Sequence, residues 1–202
     1  MPTSMQRASD RSATPASGPG EAAVLPMAAC LIVGVTAHRD LVTEEVPALE
    51  AAVDAFLKRM QGLHADLPVA VMSGLAEGGD RLVARRALAL GLPLVAPLPL
   101  PLEEYRRDCT SPESTLELDT LLAAAQAIHL PLAEGNDAAS VCVPGPARDR
   151  QYAQLGVFIS SHCQVLLALW DGTASDAAGG TSDVVRYHLH LSLIHISEPT
   201  RR

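Results

Sequence analysis

Three short segments of this chain carry groups suited to holding a phosphorylated small molecule. The first, Thr36-Ala-His38-Arg39-Asp40, places a hydroxyl, an imidazole and a guanidinium directly after an apolar run. Arg39 can grip phosphate through two parallel N–H donors, and His38 can stack on a base or donate to phosphate. The second, Ser73-Gly74-Leu-Ala-Glu77-Gly78-Gly79-Asp80, is a small-residue corner between an apolar run and a stretch of helical periodicity. Glycines let backbone come close to an anion, and a helix start directs unpaired N–H groups and its positive dipole end at it. The third, Gly179-Gly180-Thr181, repeats that arrangement far downstream, with the Thr hydroxyl as an added donor and Asp183 as the nearby acid.

Each segment also has a plainer reading. Gly78 and Gly79 form either an anion cradle or a tight turn that needs positive φ. Glu77 and Asp80 would repel an anion there, so they meet ribose hydroxyls or a metal, or only complement the helix dipole. Thr181 can bind a ligand, cap the following helix, or do both. Trp170 and Asp171 end the apolar run before the third segment; Trp170 either stacks a base or plugs the edge of a small-residue core. Arg148, Asp149 and Tyr152 either line the pocket or form an ordinary helix start, the plainer and preferred reading. No metal site is expected. Cys30, Cys109, Cys142 and Cys163 lie far apart without a C-x-x-C pair, and no His stands at ligand spacing. No cofactor is expected beyond the nucleotide-like ligand itself.

The elements that must position these residues follow from periodicity. Short, nearly continuous apolar runs at 28–36, 67–73, 92–98, 127–131 and 164–170 read as strands buried on both faces. The third carries Pro93 and Pro97 and is expected to be short. Helical spacing covers about 44–62, 77–90, 113–127 and 148–162, with a last helix from 180 onward. A polar loop bearing Gly and Pro covers 133–147. Alternating strands and helices predict an α/β fold: a Rossmann-like, doubly wound, mainly parallel sheet of at least five strands with helices on both faces. Ligands in such sheets sit beyond the carboxyl ends of the strands, where the three segments fall.

Composition narrows the function classes. The 202 residues are 48% hydrophobic, enough for one sizeable aliphatic core, and only 3% aromatic. A net charge of −8 argues against a nucleic-acid surface, which needs clustered Lys and Arg. No apolar run reaches the roughly 18 residues of a membrane span, and the N-terminus lacks the apolar region of a signal peptide. A cytoplasmic protein with free thiols and no membrane contact is the expectation. Residues 1–24, rich in Ser, Ala, Pro and Gly, read as a disordered tail ahead of a domain at 25–190. Leu191 to Arg201 reads as the translation of a transposon-based sequencing adapter, so 191–202 is expected to be an artefact. On that reading the natural gene continues past about His190 into an effector region, and a strand is lost from the sheet edge, which would invite aggregation.

The segments Val33-Gly-Val-Thr-Ala-His-Arg39, Ser73-Gly-Leu-Ala-Glu-Gly-Gly-Asp80 and Gly179-Gly-Thr181 resemble the SLOG superfamily. That group joins the DNA-processing protein A fold, the "Lonely Guy" phosphoribohydrolases and many sensor domains for nucleotide-derived ligands. The Ser73 corner is similar to the Ser-Gly-Leu-Ala-x-Gly-x-Asp corner of the DNA-processing proteins. Arg148-Asp-Arg-Gln-Tyr152, Leu169-Trp-Asp-Gly172 and Gly179-Gly-Thr181 are similar to segments of bacterial members. The resemblance covers about residues 28–190. It implies a Rossmannoid domain that binds a nucleotide or nucleotide-derived small molecule as the sensor module of a longer protein, compatible with a homo-oligomer. The phosphoribohydrolase motif Pro-Gly-Gly-x-Gly-Thr-x-x-Glu is incomplete here: its inserted Gly is missing, no Glu follows Thr181, and Asp183, the acid nearby, stands in a shifted register. Nucleotide N-glycosidase activity, with Asp183, Glu77 or Asp80 as the carboxylate, is therefore the alternative. Single-strand DNA binding is third, because of the charge.

Overall fold

A computed structural model of the chain describes residues 30–173 and 179–196, with side chains described as far as His190. The expectations for residues 1–24 and 197–202 fall outside these. Five strands form one sheet: β1 (Leu31–Ala37), β2 (Val69–Met72), β3 (Leu94–Leu98), β4 (Gln126–His129) and β5 (Val165–Leu169). Every pairing is parallel, in the order β4-β3-β2-β1-β5. The helices are α1 (Val46–Leu63), α2 (Gly79–Ala89), α3 (Leu102–Arg106), α4 (Pro112–Ala123), α5 (Pro146–His162) and α6 (Thr181–Ile196). This is the expected doubly wound α/β architecture, and every expected strand and long helix is present. The short α3 and a 3-10 turn at Thr43–Glu45 lie in segments that periodicity read as loop.

Strand alternation sorts the core into two layers. Leu31, Val33 and Val35 of β1, with Val69 and Val71 of β2 and Leu94, Ala96 and Leu98 of β3, pack with Val53 and Leu57 of α1, Leu82 and Val83 of α2, and Leu118 of α4. The alternate residues Ile32, Ala70, Met72 and Val95 pack on Leu155 and Ile159 of α5. Successive side chains of a strand point to opposite faces, so a nearly continuous apolar run is what a sheet covered on both sides requires.

Pro97 sits inside β3 without breaking it. The carbonyls of Pro93 and Val95 accept from Val71 and Ser73, so the odd-numbered residues of β3 face β2. Pro97 therefore turns its missing N–H toward the place where β2 has already ended at Met72. The proline marks where β2 stops, and the strand runs on along β4.

The strand order reverses beside β1. Chain progress from β1 through β4 runs to one side, and β5 returns to the other side of β1. The crevice at the carboxyl ends of β1 and β5 is thus the topological switch point. Its walls are joined by the backbone. His38 donates its N–H to the Leu169 carbonyl at 3.1 Å, and its own carbonyl accepts from Gly79 N–H at 3.0 Å. Gly78 has φ +82°, and a Cβ there would lie 2.0 Å from the Arg39 carbonyl oxygen. Gly78→Ala is expected to destabilise the fold by more than about 2 kcal/mol, since the φ and the contact both oppose a side chain. Equilibrium urea unfolding measures this, and a loss below about 0.5 kcal/mol would show that the joint yields.

Candidate functional site

A cavity of about 400 Å³ opens at the switch point, within the range of small-molecule sites. The loop after β1 supplies Thr36, His38, Arg39 and Asp40, and the corner after β2 supplies Asp80. Tyr105 of α3, with Tyr152, Leu155, Gly156 and Ile159 of α5, forms the base and far wall. Gly179, Gly180 and Thr181 close it with the start of α6. Apolar side chains face it from α5, while the polar groups converge from three loop ends.

The α6 start is set by small residues. Gly179 has φ +75°, and a Cβ there would fall 2.6 Å from backbone of Tyr152 and Ala153. One turn on, a Cβ at Gly156 would meet Val184 at 2.6 Å. Glycine on both helices lets α5 and α6 cross closely and brings the α6 N-terminus to the cavity wall. The Gly180 carbonyl accepts from Asp183 and Val184, so it opens the helix. The N–H of Thr181, at the first helical position, has no intrahelical carbonyl to meet. Thr181 is 7% exposed.

Arg39 is exposed and makes no hydrogen bond or ion pair among the described residues. His38 reaches the segment after β5, its Nε2 lying 3.1 Å from Asp171 Oδ1. Asp171 also accepts from the Thr173 N–H. These contacts, the Thr173 N–H first and His38 second, hold its carboxyl below the ordinary range.

Asp80 is the unusual member. It opens α2 at 7% exposure, and its Oδ1 is buried with no hydrogen-bond partner. Burial pushes its pKa up to about 7. The backbone N–H of Ala76, the Arg39 charge, the Ala37 N–H and Arg81 oppose that rise without cancelling it. Tyr105, also buried, donates its hydroxyl to the Gly74 carbonyl at 2.6 Å, and burial raises its pKa too.

The cavity thus gathers seven of the residues expected from sequence: Thr36, His38, Arg39, Asp80, Gly179, Gly180 and Thr181. Ser73, Gly74, Glu77, Gly78, Gly79, Trp170, Asp171 and Asp183 are not in its lining. Most of these have structural work. Ser73 Oγ donates to the Asp80 carbonyl and accepts from Leu75 N–H, which fixes the corner. Gly78 and Gly79 form the joint to the β1 loop. Glu77 points the other way and accepts from Thr110 and Ser114, which ties the corner to the start of α4. Trp170 donates to the Thr173 carbonyl at 2.8 Å. Asp183 pairs with Arg186 at 2.5 Å and borders a separate, shallower groove.

Tyr105 and the apolar residues of the α5 wall were not among the expected site residues, whereas Tyr152, for which the plainer reading was preferred, does line the cavity. Tyr105 follows a usable signal, Pro101-Leu-Glu-Glu, in which a proline precedes an acidic first turn. Leu155 and Ile159 were legible as core, but nothing local places them beneath a cavity. Among the described residues no group of three or more His, Cys, Asp or Glu is placed to hold a metal ion. No helix there is long and apolar enough to cross a membrane.

Comparison with solved structures gives a TM-score of 0.54 to DNA processing protein A from Streptococcus pneumoniae. This chain has the fold of DNA processing protein A. The identity is 14%, and the match covers 82% of this chain and 49% of the streptococcal one. The chain therefore spans about half the length of that protein. No family model matches the sequence, and no curated protein does.

Asp80 makes stability depend on pH with a defined sign. Its folded pKa of about 7 lies above the ordinary 3.8, so folding favours the protonated form. The contribution is fully present below about 3.8, declines as pH rises, and is lost above about 7. Asp80→Asn removes the decline. The stability of the Asn variant relative to the parent is expected to rise by more than about 1 kcal/mol between pH 5 and pH 8. Urea midpoints at the two pH values measure it; a constant difference would mean that Asp80 titrates normally.

Proposed function

We propose that the chain binds a nucleotide or nucleotide-derived small molecule in the switch-point cavity, and acts as a cytoplasmic sensor module. One observation carries this reading. The N-terminus of α6, the Arg39 guanidinium, which has no hydrogen bond or ion pair among the described residues, and the mostly buried Asp80 carboxyl all belong to the lining of one cavity of about 400 Å³. A helix start and Arg39 suit phosphate, and the Asp80 carboxyl suits a hydroxyl or amine. Apolar Leu155 and Ile159 suit a base or the sugar face. A phosphorylated, hydroxyl-bearing ligand answers all three.

The enzyme reading has one observation in its favour. Of Asp183, Glu77 and Asp80, only Asp80 lines the cavity, and its pKa of about 7 suits proton transfer near neutrality. Free base released from a mononucleotide, and lost in Asp80→Asn, would support it. The streptococcal structure is titled a DNA processing protein, but the net charge of −8 weighs against a phosphate-backbone surface.

A thermal-shift panel of mononucleotides, cyclic nucleotides, dinucleotides and ADP-ribose derivatives tests the reading. A ligand at about 100 times its Kd adds roughly 2.7 kcal/mol, on the order of 5 °C for a domain of this size. Arg39→Ala is expected to weaken the binder by about tenfold. A flat panel on folded protein would overturn the proposal.

A further inference from the structure

We propose that the groove between α5 and α6, separate from the cavity, is a docking face for a second copy of this chain. The inference stands apart from the ligand reading and concerns how copies of the protein meet. The groove holds about 250 Å³ and is walled by Ala153 and Val157 of α5 and by Val184 and Tyr187 of α6. Val157 is 41% exposed, Tyr187 36%, and Leu189, two residues on along α6, 58%. Elsewhere among the described residues, large exposed apolar side chains stand in loops or at the end of a helix, Leu116 of α4 excepted. A cluster of exposed apolar side chains that includes a tyrosine is what protein–protein contacts use.

The distribution of charge selects a like copy as the occupant. The chain carries −8 overall, so two copies repel each other across most of their surfaces. Residues 30–145 hold sixteen acids against eight basic residues. On α5, and on α6 as far as His190, only Asp149 and Asp183 are acidic, against Arg148, Arg150 and Arg186. This is therefore the side on which two copies come together with the least repulsion. A strongly basic partner is drawn to the acidic remainder of the domain instead. The groove is also self-complementary in charge. Asp183 and Arg186 both border it, three residues apart and 2.5 Å from each other. A two-fold axis across α6 sets the two helices antiparallel, so each Asp183 comes within reach of the partner's Arg186.

Size sets the strength to expect. α5 has 17 residues and α6 has 16, so each is about 25 Å long and the pair about 20 Å wide. That face covers about 500 Å² on each copy, or about 1,000 Å² in all, the lower end for a specific contact. The dimer is therefore expected to form reversibly with concentration. It also abuts the switch-point cavity, because Gly156, Gly179 and Val184 line both.

Sedimentation velocity on the full chain, from about 1 μM to about 100 μM, tests this. The parent is expected to pass from monomer to dimer across that range. Tyr187→Asp and Val157→Asp should each raise the dissociation constant about tenfold or more, whereas Leu116→Asp on α4 should leave it unchanged. Charge reversal adds a second readout. Asp183→Arg and Arg186→Asp should each self-associate more weakly than the parent, since like charges then face each other across the axis. An equimolar mixture of the two should associate more tightly than either variant alone. A parent that stays monomeric throughout would overturn the inference. So would a dimer that survives the groove substitutions, one lost in Leu116→Asp, or a mixture no tighter than its components. Should an α6 variant fail to fold by circular dichroism, Val157→Asp on α5 and the parent's own concentration dependence still decide.

Discussion

The rim of this molecule depends on His38, whose backbone is held on both sides. Its N–H bonds to β5 and its carbonyl to the start of α2. These two bonds join the three strand ends that build the cavity. They set where Arg39 emerges, and they hold Asp80 at the first turn of α2 against the same loop. Without Gly78 and Gly79 the approach is closed, because added Cβ atoms would strike the Arg39 carbonyl and the Ala37 side chain. The glycine corner resembles a phosphate cradle in sequence, and in this fold it is a joint between backbones.

Behind the joint lies a second layer of fixed charge. Arg81 is almost fully buried, and its guanidinium meets the Leu75 carbonyl, Ser114 and Glu117. Arg148, also buried, bonds to the Val141 and Glu104 carbonyls and to Asp108 at 2.6 Å. Such ions stay buried only when each hydrogen-bonding site is answered. Both arginines therefore act as cross-braces, one tying α2 to α4 and the other tying α5 to α3 and the 133–145 loop. Against that background of satisfied ions, Asp80 stands out as a buried carboxyl whose Oδ1 has no hydrogen-bond partner among the described residues.

Much of the fold was legible because apolar runs and helical spacing report burial directly. The parallel strands of β1, β2 and β3 are covered on both faces, and their sequences are correspondingly continuous in apolar residues. The site was legible in part. Thr36, His38, Arg39, Asp80 and the Gly179–Thr181 turn reach the cavity, since residues just past strand ends must lie on the rim. Side-chain direction was not legible there. Glu77 and Asp80 stand three residues apart at one corner, yet Asp80 lies inside and Glu77 reaches out to Ser114. Asp183 similarly borders a different groove, paired with Arg186.

By itself the sequence determined the alternation of strands and helices, the aliphatic core, and the small-residue turns at the rim. Those properties follow from local periodicity and from the steric freedom of glycine, which neighbours in the chain express. Only the tertiary structure decided that β5 returns beside β1, that α5 and α6 cross at Gly156, and that Asp80 is buried beside the cavity. Each of these depends on contacts between residues far apart in the chain. A buried carboxyl is defined by what surrounds it, and nothing in its own segment specifies those surroundings.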